Sequence, residues 1–325
     1  MKSRGRVILT GVAGFAGSYL AELLLAKGYE IYGLLAPGEK PDNIRHIKND
    51  LKLERFNITR QNKISSYIKK IKPHYLFHLA AFASVGQSFR NERLTYDVNF
   101  TGSLNIFEAA SGLHGKLKKL VFISSSECYG IFTPKNKILM ESQPLNPISP
   151  YGISKAAAEH LALYYRRQYR LPAVIARSFN HTGPRQSEIF VVPSFCRQIA
   201  IIERRRSKAE MQVGNLSVKR DLSDVRDIVN GYYLAAVRGK AGDTFQFSSG
   251  RAVTIKTVLD GLLRLSARKI IVRTSRSRFR RTDIPVLRGG NDAARKKLGW
   301  QMQYSLQETL RDTLEYWREK VEKAR

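Results

Sequence analysis

Cysteine is almost missing from this chain of 325 residues: Cys128 and Cys196 are the only two. They lie far apart, with no His or Cys at ligand spacing. That argues against a disulfide framework and a cysteine-based zinc site, so no metal site is expected, and it fits a reducing cytoplasm. Acid is scarce as well. Twenty-seven Asp and Glu face 56 Lys and Arg, a formal net charge of +29, and no acid occurs between Gly261 and Thr282. Such an excess calls for an anionic partner or for a host whose proteins are generally basic. Long apolar runs are lacking: nothing approaches the roughly 18 uninterrupted apolar residues of a membrane span. The start imitates a secretory leader, but Thr10, Gly11, Gly14, Gly17 and Glu22 interrupt its apolar run, which reads instead as a strand, a glycine turn and a helix. What is present is a chain 43% hydrophobic and 10% aromatic, enough to bury a sizeable core in one large domain or two unequal ones.

Apolar runs of strand length alternate with amphipathic stretches of helix length through the first half. Strands are expected over 6–9, 30–35, 51–56, 74–79, 119–123 and 173–176, and helices over 15–27, 61–71, 95–110 and 150–169. Such alternation predicts an α/β protein with a Rossmann-type, doubly wound parallel sheet. After Arg177 the rhythm breaks into Pro/Gly loops, a basic helix over 192–206 and short mixed elements. The expected division is a dinucleotide-binding domain over 1–177, rejoined by a helix over 223–237, and a smaller α/β substrate lobe over 178–325.

The sequence TGVAGFAG (residues 10–17) follows a strand and opens a helix. In that context glycines permit a tight turn, let backbone approach a pyrophosphate, and allow close helix-to-strand packing, while the helix N-terminus offers free N–H groups. Gly11, Gly14, Phe15, Ala16 and Gly17 are therefore expected to hold a dinucleotide. The usual selector at the end of the second strand, an acid for NAD or an arginine for NADP, is replaced by Leu34-Leu35-Ala36-Pro37. Lys40 and Arg45 lie just beyond, and on their account NADP(H) is expected ahead of NAD(H).

Tyr151 and Lys155 are four apart, hence on one face of a helix that begins after Pro150. A tyrosine has an unperturbed pKa of about 10, and a neighbouring ammonium favours its phenolate. Upstream, the run ISSSECYG (residues 123–130) ends a strand at the carboxyl edge of the sheet, where doubly wound folds place ligands. A serine hydroxyl there can bond a carbonyl oxygen as charge develops on it.

Together with HLAA (residues 78–81), these motifs identify a resemblance to the extended short-chain dehydrogenase/reductases that act on nucleotide sugars, running from Arg6 to Trp317. The resemblance implies Ser125 as the catalytic hydroxyl, Tyr151 and Lys155 as the acid/base pair, and cofactor contacts from Asn57, Ile58, Leu79, Ala80, Ala81 and Asn99. Asn57 stands where the family usually has an aspartate. Later motifs, SFNHTGPRQ (178–186), VGN (213–215), RRTDIP (280–285) and LGW (298–300), resemble the GDP-mannose branch. They imply that a GDP-sugar is held by Ser84, Asn180, Arg185, Asn215, Arg220, Arg280 and Asp283, with arginine forks on phosphate and a carboxylate on ribose hydroxyls.

Two activities belong to that branch: 4,6-dehydration of GDP-mannose, and NAD(P)H-dependent reduction of the C4 ketone of a GDP-4-keto-6-deoxyhexose. Glu127 is what a dehydratase needs as C5 base, though reductases of the branch also carry a carboxylate there. The Gly183-Pro184 pair, the missing arginines after the second strand and the chain length lean to the reductase. Gly17 to Leu23 instead resembles the dehydratase form of the first helix. The family also implies a homodimer.

A different class of function is raised by the arginines between Arg264 and Arg281, which exceed what one diphosphate needs. RNA or an anionic surface would suit them. Only Phe279 is interleaved and no nucleic-acid motif is present, so the expectation is a solvated basic face.

Overall fold

The computed structural model describes residues 3–113, 115–131, 138–205, 209–279 and 284–323. The first half of the chain runs β1 (Arg6–Thr10), α1 (Phe15–Ala26), β2 (Glu30–Leu35), β3 (Leu51–Arg55), α2 (Gln61–Ile71), β4 (Tyr75–His78), α3 (Val85–Ser88), α4 (Glu92–Tyr96), α5 (Gly102–Ser111), β5 (Lys119–Ser125), α6 (Pro150–Tyr169) and β6 (Ala173–Ser178). The second half runs β7 (Asn180–Thr182), α7 (Val191–Arg204), β8 (Glu210–Val213), β9 (Lys219–Asp224), α8 (Val225–Arg238), β10 (Thr244–Phe247), β11 (Ala252–Thr254), α9 (Ile255–Leu265), β12 (Ile271–Thr274), β13 (Val286–Leu287), α10 (Asp292–Leu298) and α11 (Leu306–Lys323).

Seven parallel strands form the main sheet in the order β10-β6-β5-β4-β1-β2-β3. Val7, Ile8 and Leu9 of the central β1 are at most 1% exposed, because helices cover both faces of a parallel sheet. On one face α1 and α8 bury Leu20, Leu24, Ile228 and Tyr232 with Trp300; on the other α2, α5 and α6 bury Ile64, Ile68, Phe107 and Ala158. The α/β, doubly wound expectation is borne out.

Two departures from the sequence reading have local causes. The helix expected over 95–110 runs continuously from Glu92 to Ser111 but widens into a π turn at Asp97–Thr101. There the Asn99 amide turns inward to accept from Phe82 N (2.7 Å) and to donate to Ser154 Oγ (2.9 Å). The helix expected from residue 223 starts at Val225, since Ser223 and Asp224 finish β9 and the Asp224 carboxylate caps Arg226 N at 2.8 Å. β10, which the sequence reading did not separate from the substrate lobe, lies at the edge of the main sheet beside β6.

The smaller lobe centres on β9, flanked by β7, β11 and β13, with β8 and β12 paired beside it. Its own core joins Phe195, Ile199, Val258, Leu262, Leu314 and Trp317 from α7, α9 and α11. The LGW motif packs on the main-sheet body: Gly299 takes φ 67°, and the Trp300 indole donates to Asp227 O of α8 at 2.8 Å. Among the described residues no helix is long and apolar enough to cross a membrane.

Candidate active site

A cleft of about 1310 Å³ opens along the carboxyl edge of the main sheet, between the lobes. That exceeds the roughly 300–1,000 Å³ of a single-ligand pocket, and the cleft has room for a dinucleotide and a second ligand. Its floor is the glycine turn. Gly11 has φ 71°, and a Cβ there would meet Ala80 N at 2.9 Å; at Gly17 it would lie 2.0 Å from Gly11 O. Only glycine leaves that cradle open. No side chain caps the N-terminus of α1 and its first turn has no acid, so its unpaired N–H groups and positive dipole end suit a pyrophosphate.

Behind the turn a hydrogen-bonded chain fixes the wall. Ala80 N donates to Thr10 Oγ1 (3.1 Å), Thr10 Oγ1 lies 2.9 Å from His78 Nδ1, His78 Nε2 lies 3.0 Å from Ser103 Oγ, and Ser103 Oγ donates to Asn99 O (2.5 Å). Burial lowers the His78 pKa to about 3, which keeps it neutral. Asn99 therefore stands behind the cleft as a support, while Asn57, Ile58, Leu79, Ala80 and Ala81 line it.

β5 ends at Ser125, whose hydroxyl accepts from Glu127 N at 3.2 Å and which lines the cleft together with Tyr151. α6 presents Tyr151 because Ser149 caps its N-terminus, accepting from Gly152 N at 3.0 Å, and Pro150 follows at the first helical position. Lys155, one turn on and 3% exposed, lies 4.6 Å from the centroid of the Phe122 ring. Burial lowers Lys155 to about 8, against the pull of Cys128 and Glu159. Burial raises the Tyr151 phenol, and the principal counterweight is the neighbouring Ser125 hydroxyl. Ser125, Glu127, Tyr151 and Lys155 share one wall of the cleft.

The cleft holds only part of the expected sugar-nucleotide set. Ser84 and Asn180 line it, and Asn180 Oδ1 is buried without a hydrogen-bond partner, an acceptor suited to a ligand N–H or O–H. Arg185 also lines the cleft, but its guanidinium is tied to α1, donating to Glu22 Oε1 at 2.6 Å and stacking 4.4 Å from the Tyr19 ring. Asn215 and Arg220 are not among the described residues lining the cleft. Asn215 Oδ1 accepts from Ser217 N and Oγ, and Arg220 Nη1 donates to the carbonyls of Lys219 and Ile284. Arg280 and Asp283 lie outside the described residues. The structure adds Arg90 and Arg278, two arginines on the cleft that carry no motif. At the dinucleotide end it adds Glu39, whose carboxyl burial raises, against the Ala36 N–H and the Arg55 charge.

A glycine-rich strand-to-helix turn facing a Ser–Tyr–Lys set across one cleft defines a nucleotide-dependent short-chain dehydrogenase/reductase. Residues 8–313 match the family model described as GDP-mannose 4,6 dehydratase, and the chain belongs to that family. It is similar to the GDP-6-deoxy-D-mannose reductase of Pseudomonas aeruginosa, 28% identical over 97% of this chain and 98% of the other. Among solved structures it resembles RMD from Pseudomonas aeruginosa complexed with NADPH (26% identity, TM-score 0.84, 98% of this chain and 100% of that one). It also resembles the UDP-glucose 4-epimerase of Thermus thermophilus in complex with NAD (28% identity, TM-score 0.86, 96% and 99%).

Proposed function

We propose that the protein reduces the C4 ketone of a GDP-4-keto-6-deoxyhexose at the expense of NAD(P)H, giving a GDP-6-deoxyhexose such as GDP-rhamnose. The observation that carries this reading is the placement of the Tyr151 phenol, an acid at neutral pH, beside Ser125 and Lys155 on the cleft lining. Reduction needs a proton donor at the developing alkoxide, whereas the first step of a dehydratase needs a base. The reduced coenzyme supplies the hydride. Ser125 holds the ketone oxygen, Tyr151 gives it a proton, and Lys155, positive at neutral pH, holds the coenzyme's ribose and stabilises the phenolate left behind. The end-to-end match with a reductase supports the same direction.

Glu127 sustains the second reading, GDP-mannose 4,6-dehydratase, because it lines the cleft with Ser125. One pair of incubations separates the two. GDP-mannose alone should remain unchanged, while the 4-keto-6-deoxy sugar nucleotide with NADH or NADPH should oxidise the coenzyme; keto-sugar formation from GDP-mannose establishes the dehydratase instead.

The same proposal assigns the dinucleotide to residues 1–177 with the 223–237 helix, and the sugar nucleotide mainly to the smaller lobe. It includes work in the cytoplasm, which the two free, buried cysteines suit. It also includes a homodimer, for which the outward Ile153, Tyr164 and Tyr169 of α6 are apolar candidates; sedimentation giving a monomer at micromolar protein would remove that part.

A further inference from the structure

The end of β2 carries no acid in the sequence, yet the folded chain puts one there. Beyond Leu35 the backbone turns tightly through Pro37 and Gly38, the latter at φ 76°, and Glu39 N donates to Ala36 O at 3.1 Å. Glu39 then folds back, its Oε2 accepting from Ala36 N at 2.8 Å. Arg55, the last residue of β3, locks the turn by donating from Nη1 to the carbonyls of Ala36 and Glu39, both at 2.8 Å. The carboxylate is half-buried and lines the dinucleotide end of the cleft with Leu35, Ala36 and Asn43.

In doubly wound folds, an acid some twenty residues past the glycine turn meets the adenosine ribose. Glu39 reaches that place by a detour of three residues rather than by sitting at the strand end. The cations that pointed towards NADP(H) do not compete for it. Arg45 is exposed and bonded to Asp42 at 2.9 Å, and neither it nor Lys40 is among the residues lining the cleft.

We propose that Glu39 selects the coenzyme: its carboxylate accepts the 2′-hydroxyl of the adenosine ribose and repels a 2′-phosphate, so the protein takes NAD(H) in preference to NADP(H). This rests on the reading of the cleft as a nicotinamide-dinucleotide site, but not on the identity of the sugar, which reacts at the other end.

Binding of NAD⁺ and NADP⁺ to the purified protein, by calorimetry without sugar nucleotide, tests it. About 0.15 M salt keeps the general positive field from favouring the more charged coenzyme. The wild type should bind NAD⁺ at least about tenfold more tightly than NADP⁺, because like charges at close range are strongly disfavoured. Glu39→Gln keeps an oxygen for Ala36 N but loses the charge, and the ratio should fall to within about threefold. Equal or tighter binding of NADP⁺ by the wild type overturns the proposal, and that arm needs no variant to fold. An unchanged ratio in Glu39→Gln overturns it too. Binding of neither coenzyme overturns it together with the dinucleotide reading, whereas failure of the sugar assignment leaves the ratio untouched.

Discussion

Tyr151 must release a proton from a place where burial makes that release hard. Ser125 lines the cleft beside it, and Lys155 waits one helical turn away on Phe122. Tyr151→Phe removes the donor and keeps the ring, so turnover with the 4-keto substrate should fall by about 10²- to 10⁴-fold. Coenzyme affinity by calorimetry should stay within about threefold of wild type; near-normal turnover would refute the role. The pH dependence has a defined sign. Lys155 titrates near 8 in the folded chain, so its charge is complete below that pH and lost above it. For reduction, kcat/KM should be level around neutrality and decline above about pH 8, since that quantity follows the groups of the free enzyme. A profile flat to pH 10 would show that the ammonium is not required.

At the scale of elements, the catalytic tyrosine depends on how α6 begins. Ser149 satisfies an N–H that the helix leaves unpaired, and its loss in Ser149→Ala should cost about 1 kcal/mol in urea unfolding. Turnover should drop as well, because the first turn carries Tyr151; a stability change of less than about 0.3 kcal/mol would show the cap to be idle. This part of the molecule was legible in the sequence. Glycine spacing, Pro150 and the four-residue Tyr–Lys interval are local signals, and local signals survive folding. The π turn was not legible, because its cause lies across the chain in Phe82 and Ser154. Arg185 was read as a sugar-nucleotide ligand from its motif alone, while its partner Glu22 comes from α1. Glu39 was passed over because only the turn after β2, locked by Arg55, brings it to the strand end. Sequence spacing names such residues; only the meeting of distant strands and helices gives them neighbours.

At the scale of the whole molecule, the net charge of +29 remains larger than one GDP-sugar requires. Arg264, Arg273 and Arg276 are exposed, and Arg273 lies 3.7 Å from Glu210 as a surface pair, the arrangement of a solvated face. A labelled single-stranded RNA should bind only weakly, with affinity falling steeply between 50 and 200 mM salt as counterion release predicts. A Kd tighter than about 1 µM at physiological salt exceeds the usual non-specific range and would assign the arginines to nucleic acid.

The chain does not finish one lobe before starting the other. From β6 it passes to β7 and α7, returns as α8 and β10, leaves again through β11 and α9, comes back with α10 against α8, and ends as α11 on α7. No single cut therefore yields two self-sufficient pieces: a truncation anywhere between β6 and α10 strips one body of a strand or helix it shares with the far end of the polypeptide. Gene fragments encoding the halves would have to be expressed together, and the walls of the cleft are tethered at several places, like a book sewn along its spine.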